Sequence, residues 1–434
     1  MPAPPIFCFQ EMRTLLKILY RICCGIDVHK KFVVATISIT NSNNVTTYQT
    51  QVFQTFHCDL LKLRNWLVEN KCRIVCMEST GKYWIPVFNV LEDYCSITLA
   101  NPRFVKNIPG KKSDTRDSVW LTDLQKHGLV PGSYIPCKAI RELRDLFRYK
   151  SKLSNFASSE KNRVQNSLTV SNIMLSSVVS DTFGKSSLDI INHLIAHPGD
   201  TSFDFASMLR TSLKKKSAEI SKAIEGRISK EQALKLEVCF NHHSAIHKCM
   251  DIIDGQIAKL IKPFKRPIQL LDTLPGITEK SAANVIAEIG VDMSVFHSSK
   301  HLCSWAGLTP QCNESAGKKK SVRISRAGVY LKPLLVQCAN AAIRDKSCTV
   351  FKDRYAKIKK RRGHKRAIIA VARMMLTCIY HMLLKNEAFN SSLYEVPSPA
   401  SKESSKFNDV QQAIEVLKMN GYDVDNLQLL APPA

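Results

Sequence analysis

Four acidic side chains stand where they could do phosphate chemistry. Asp27 closes the apolar run Cys24-Gly25-Ile26, and Glu78 closes a second, Ile74-Val75-Cys76-Met77. Asp114 and Asp117 follow, three apart, in Lys112-Ser113-Asp114-Thr115-Arg116-Asp117. A carboxylate at the end of a buried strand costs desolvation energy unless a cation or a donor compensates it. Residues three apart share one face of a helix, so Asp114 and Asp117 can reach the same ion. The four together are hard oxygen donors suited to one or two Mg²⁺ ions, which take carboxylate, water and phosphate oxygens. Such ions stabilise the attacking and the leaving oxygen of a phosphodiester. Singly, each acid has a plainer reading, as Ser113 or Asp114 capping a helix would. Their joint placement favours the metal.

A second candidate is Ser315, in the polar loop Pro310-Gln311-Cys312-Asn313-Glu314-Ser315-Ala316-Gly317. A serine hydroxyl attacks phosphorus when it is deprotonated or when nearby charge stabilises the phosphorane. Lys318, Lys319, Lys320 and Arg323 supply that charge immediately downstream. On chemistry alone Ser321 and Ser325 are equal candidates, and a serine beside glycine is ordinarily a turn residue.

These residues need elements to position them. Strands are expected at Ile22–Val28, Phe32–Thr40 and Val45–Phe53, joined by hairpin-length turns; then a helix at Asp59–Asn70, the Glu78 strand, a helix at Tyr83–Tyr94, a strand at Ile97–Ala100, and a helix through Asp117 to Leu121. That order reads as a mixed sheet covered by helices, as in a ribonuclease-H-like domain. Residues 138 to about 262 carry helical periodicity, with Leu143, Leu146, Phe147, Lys150 and Leu153, then Leu234, Leu236, Val238 and Ile246, and a break at His197-Pro198-Gly199-Asp200. Such a stretch spaces domains or pairs with its copy. Leu271 to Gly290 reads as helix, Pro-Gly turn and helix, a helix-hairpin-helix-like element that is either an ordinary tight turn or a phosphate contact.

The 434-residue chain carries 62 Lys and Arg against 37 Asp and Glu, a formal charge of +25, which selects a polyanionic partner. Between Lys352 and Arg373 ten basic residues face one acid, Asp353. Lys359, Lys360, Arg361, Arg362, Lys365 and Arg366 are therefore candidate phosphate contacts, against the plain reading of a solvated helix face. Fifteen cysteines without a Cys-x-x-Cys pair read as reduced thiols. No apolar run is read as reaching transmembrane length, and Glu11, Arg13 and Lys17 spoil the opening as a signal segment. A soluble, cytoplasmic protein with no membrane partner is expected.

Five stretches then resemble, in order, the DEDD transposases of bacterial insertion sequences, a family that includes Piv-type DNA invertases. They are Gly25-Ile26-Asp27-Val28-His29-Lys30, Met77 to Trp84, Asn101-Pro102-Arg103 with Lys112 to Ser118, Glu160 to Gln165, and the series Leu274-Pro275-Gly276-Ile277, Trp305 to Pro310, Ile324 to Gly328 and Gly363 to Ala367. The resemblance implies a RuvC-like domain at 23–137 whose Asp27, Glu78, Asp114 and Asp117 bind Mg²⁺. It further implies a helical or coiled-coil spacer at 138–265 and a mostly helical transposase domain at 266–386 bearing Ser315 as nucleophile, between an extension at 1–22 and a flexible tail at 387–434. It implies a recombinase of double-stranded DNA, acting on element ends and target in the bacterial nucleoid. Homodimers or tetramers and direction by a structured guide (bridge) RNA belong to the same implication. The chain departs from the family pattern at Ala316 and Val329, and Pro333 falls in an expected helix. The rivals are a Holliday-junction-resolvase-type metal nuclease and a decayed, nucleic-acid-binding relative.

Overall fold

The computed structural model describes residues 16–79, 81–102, 114–198, 203–310, 313–315, 318–321 and 323–394, with Ile414 and Leu417. The expected tail beyond Tyr394, Ile414 and Leu417 apart, and the Gly199-Asp200 part of the break fall outside them. The chain divides into two compact units, residues 1–135 and 136–434.

In the first unit β1 (Ile22–Val28), β2 (Phe32–Thr40), β3 (Thr46–Gln54), β4 (Ile74–Glu78) and β5 (Ser96–Ala100) form one mixed sheet in the order β3-β2-β1-β4-β5. Short turns make β1–β2 and β2–β3 antiparallel. Parallel neighbours need a crossover, and α1 (His57–Glu69) and α2 (Trp84–Leu91) precede the two parallel pairings, β1–β4 and β4–β5. On one face Ile26, Val28, Ala35, Ile37, Val75 and Met77 pack with Leu60, Leu63 and Leu67 of α1 and Leu91 of α2. Each of those leucines is essentially buried, worth about 1.5–3 kcal/mol apiece relative to exposure. The other face is covered by α3 (Asp114–Lys126), whose Leu121 packs with Cys76 and Ala100. Coverage on both faces is why β1 and β4 read as continuous apolar runs rather than alternating ones. The mixed five-stranded sheet with helices on both faces is consistent with a ribonuclease-H-like fold.

The second unit is helical apart from one short hairpin among its described residues. Its α4 (Lys138–Val170) and α8 (Lys230–Leu260) run antiparallel, since Ser167 bonds Gln232, Glu160 bonds His242 and Lys150 bonds Asp254. At 1.5 Å per residue each is on the order of 50 Å long. Between them α5 (Leu175–Val178), α6 (Lys185–Ala196) and α7 (Ser217–Ala223) close a core of Val164, Leu168, Ile190, Leu194, Ile220 and Leu236 at the far end. The segment read from sequence as a spacer therefore runs out and returns. Its apolar stripe on α8 is Ala233, Leu236, Cys239, Ile246, Ile253 and Ile257. Leu234 and Val238, which also fall at helical spacing, lie on a neighbouring stripe and are 63% and 58% exposed.

The base of α4 is fastened to α10 (Glu279–Ile289), which follows α9 (Lys265–Asp272) and the Pro275-Gly276 turn. Arg144 donates to the carbonyl oxygens of Ala287 (2.9 Å) and Glu288 (2.7 Å), satisfying the C-terminal end of α10. Arg148 makes a two-pronged pair with Glu288 (2.8 and 2.7 Å), and its guanidinium lies over the Tyr330 ring. Beyond α11 (Ser299–Trp305) and α12 (Leu331–Ala342), the helices α13 (Val350–Arg362) and α14 (His364–Lys385) form an antiparallel pair. Contrary to the sequence expectation, α14 is long and apolar enough to cross a membrane by length and composition. Ala367, Ile368, Val371, Ala372, Met375 and Leu376 are nevertheless buried in the unit, which makes α14 its core helix. Pro333 sits in the first turn of α12, where its missing N–H is not needed.

Glu288 is 3% exposed, so removing its partner strands a buried charge. Because the Arg148 side chain is 39% exposed, Arg148→Ala should lower unfolding free energy by about 1–3 kcal/mol, read as a lower urea midpoint; an unchanged midpoint contradicts the pair.

Candidate active site

Asp27 and Glu78 end adjacent parallel strands. Ile26 of β1 stands opposite Met77 of β4, so the next register places Asp27 beside Glu78, on strands about 4.8 Å apart. Ile26 and Met77 point into the core shared with α1 and α2. Alternation along a strand therefore turns Asp27 and Glu78 to the face that α3 covers.

What fixes α3 on that face is a close approach at Gly25. A Cβ there would meet the Ser118 carbonyl oxygen at 2.4 Å and the Thr122 nitrogen at 2.5 Å, so only glycine lets the helix lie this near the central strand. Hydroxyls then tie the two together. The Gly25 amide donates to Thr122 Oγ1 (2.9 Å), and that oxygen lies 2.7 Å from the Ser118 carbonyl and 2.9 Å from the Thr36 carbonyl. Thr36 Oγ1 bonds Ser118 Oγ (2.7 Å) and Thr50 Oγ1 (2.8 Å), carrying the network across β2 to β3. Cys23 donates to the Thr122 carbonyl (3.6 Å), so α3 runs opposite to β1, with Thr122 toward Cys23 and Ser118 at Gly25. Four helix residues advance about 6 Å and two strand residues about 6.7 Å. One turn before Ser118, the Asp114 backbone thus comes level with Asp27.

The electrostatics agree with that register. Asp27 is 7% exposed, and burial pushes its carboxyl above the usual carboxylate range, with the charges of Asp117 and Glu78 adding to the rise. His29 acts against this, its Nε2 lying 3.0 Å from Asp27 Oδ2. Asp117 is exposed and Glu78 half-buried; the side chain of Asp114 lies outside the described residues. Two carboxylates acting on a third that is buried at a strand end form an all-oxygen donor set whose charge a hard divalent cation would offset. Among the described residues no group of three or more His, Cys, Asp or Glu side chains is gathered tightly enough to form a metal cluster.

Ser315 closes β6 (Asn313–Ser315), which pairs antiparallel with β7 (Lys318–Ser321) in the second unit, Ser315 opposite Lys318. The side chains of Ser315 and Lys318–Lys320 lie outside the described residues. The base of this hairpin is held firmly. Pro310 bridges Ile324, and the loops below pass so closely that a Cβ on Gly307 would meet the Ala327 carbonyl at 2.5 Å and one on Gly328 the Ala306 carbonyl at 2.1 Å. Lys332 Nζ donates to the carbonyls of Ser325 (2.7 Å) and Ala327 (2.9 Å). Ser325 Oγ accepts from the Ala327 amide, a local turn role. Arg323 is exposed beside the hairpin.

On α13 only Phe351 is buried, while Lys359, Lys360, Arg361 and Arg362, with Lys365 and Arg366 at the start of α14, are exposed. Tyr355 bonds His364 Nδ1 (2.8 Å) across the Gly363 corner, and Lys359 lies over the Tyr355 ring. The cations are therefore carried on a braced arm.

Sequence reasoning missed Gly25, Thr36, Ser118, Thr122 and His29. The available signal was Ser118 and Thr122, small hydroxyls one turn apart on the helix that bears Asp114 and Asp117. Gly25→Ala should cost about 1–3 kcal/mol by overpacking, whereas Gly255→Ala, with nothing within 4 Å of the added methyl, should be neutral or stabilising. Equal thermal midpoints for the two variants would contradict the close approach.

Two family models match in chain order: a DEDD transposase model over residues 24–173 and the Transposase IS116/IS110/IS902 family over residues 268–356. The chain is similar to a transposase for insertion sequence element IS1111A of Coxiella burnetii, 31% identical over 134 residues, 30% of this chain and 36% of that protein. It is also similar to pilin gene-inverting proteins of Moraxella bovis and Moraxella lacunata, each 30% identical over 156 residues, 33% of this chain and 46% of theirs. The matches thus span less than half the length of these relatives. With one model on the acid-bearing unit and the other on the segment that carries Ser315, the chain belongs to the DEDD transposase family of insertion sequences.

Proposed function

We propose that this protein is a site-specific DNA recombinase of mobile-element type. The observation that carries the reading is the meeting of β1, β4 and α3, with Asp27 raised by burial and by the charges of Glu78 and Asp117. The names of the relatives, one moving an insertion sequence and two inverting a gene, support cutting and rejoining of DNA.

In this reading residues 23–137 are the RuvC-like catalytic domain, 138–265 the helical spacer and 266–386 the transposase domain. Asp27, Glu78, Asp114 and Asp117 would hold Mg²⁺, which when bound supplies Lewis-acid activation of a phosphodiester. The Ser315 oxygen attacks phosphorus as its proton leaves to solvent or a base. One P–O bond forms to serine, one breaks to the DNA strand, and a DNA hydroxyl is released. A DNA hydroxyl then attacks the phosphoserine, restoring a phosphodiester and returning the serine. No outside energy source is needed, because the bond count is unchanged.

The positive side chains beside Ser315, Lys318 to Lys320 and Arg323, stabilise the phosphorane. Those of α13 and the start of α14 bind phosphates of DNA or of a guide RNA. A homodimer or tetramer, with serine and acids from different copies, completes the reading. Binding through so many cations weakens steeply with salt.

The test is covalent trapping on a suicide DNA substrate carrying the element junction. Wild type should give an SDS-resistant adduct at Ser315, and Ser315→Ala should lose it, by a factor of at least about 100, while retaining DNA binding. Cleavage undiminished in Ser315→Ala would make the protein a metal nuclease with water as nucleophile.

A further inference from the structure

Outside the acids and the serine hairpin, the histidines offer a second site. Three pairs stand four apart on or beside helices with their rings in contact: His193 with His197, His243 with His247, and His297 with His301. The first pair stacks, and His193 is further covered by Phe203 at 4.0 Å between ring centres. The third is wider, 5.4 Å between ring centres. The pair on α8 differs in kind. His243 Nε2 and His247 Nε2 face each other at 3.2 Å, within hydrogen-bonding distance, so one ring donates to the other when no ion is bound.

That separation is the bite of a chelate. Two metal–imidazole bonds of about 2.0–2.1 Å at a near-tetrahedral angle put the nitrogens about 3.2–3.4 Å apart. Positions i and i+4 of a helix face each other, so the backbone already meets the ordering cost of this geometry. His243 is half-buried against Phe183, 5.1 Å between ring centres, which holds its ring, while His247 is exposed and keeps the point between them open to solvent. Burial, His247 and the Lys161 cation all lower the pKa of His243, favouring the unprotonated form that a metal needs. Cys239, one turn earlier, is buried and interacts with Glu160, so it is not a third ligand.

We infer that His243 and His247 form a two-nitrogen site for a borderline divalent transition ion of the zinc or nickel class, with water completing the coordination. Nitrogen donors select against Mg²⁺, which keeps this site chemically separate from the carboxylates. Two protein ligands and a nearby lysine give micromolar rather than tighter binding. The ion would brace α8 across one turn where Phe183 and Phe240 close the distal core, and so stabilise that end of the helical hairpin by mass action.

The experiment is calorimetric titration of NiCl₂ into the untagged full chain, under reducing conditions and in excess Mg²⁺ to occupy the carboxylates. One nickel site at micromolar affinity is expected, weakened at least tenfold in His243→Ala and in His247→Ala and unchanged in paired alanine variants of His193 with His197 and of His297 with His301. Wild type that takes up no nickel, or both single variants binding as wild type does, overturns the inference. His247→Gln guards against a folding defect. It should melt with the metal-free wild type yet lose the nickel-induced rise in melting temperature, and a rise retained in full overturns the site.

Discussion

The distance between a helix and a strand governs this molecule. Gly25 removes the one Cβ that would hold α3 off β1, and Thr122 and Ser118 fill the freed space with hydrogen bonds to strand backbone and to Thr36. Close packing of this kind does not deform continuously. A helix held at that spacing keeps its N-terminal turn, with Asp114 and Asp117, level with the strand end that carries Asp27. Moving it outward would withdraw Asp114 and Asp117 from the strand ends and leave Asp27 with Glu78 and His29 alone.

The second unit follows the same logic with different chemistry. Its serine is carried on a two-stranded hairpin, a small element unable to stabilise itself, so the stiffness comes from below. Gly307 and Gly328 let two loops cross, Lys332 ties the Ser325 and Ala327 carbonyls of one of them, and Tyr330 stacks on Arg148, which is paired with buried Glu288. The base of α4 and the serine hairpin thus share one polar clamp. The exposed cations of α13 face solvent because the helix buries little more than Phe351, and an arm with so little apolar contact is suited to meet a polyanion.

Much of the first unit could be read directly. Apolar runs ending in acids gave β1 and β4 to the residue, and the two turns of hairpin length gave the antiparallel edge. The clamps could not be read, because Gly25 and Thr122 are 97 residues apart and nothing local marks them as partners. Helical periodicity located α4 and α8 but not which stripe faces inward: Leu234 and Val238 fall at helical spacing yet are exposed. Nor does periodicity distinguish a helix pair that bridges two domains from one that folds back, a difference set by side-chain pairs such as Glu160 with His242. The apolar length of α14 is masked in the sequence by His364, Lys365 and Arg366, which open it with charge and polarity.

Manganese(II) binding followed by electron paramagnetic resonance on the full chain tests most directly whether β1, β4 and α3 build one cation site. Wild type should immobilise the ion, and Asp27→Asn, Glu78→Gln and Asp117→Asn should each weaken its binding at least tenfold without loss of the folded sheet. Binding left intact in all three variants would mean that these carboxylates do not share a cation.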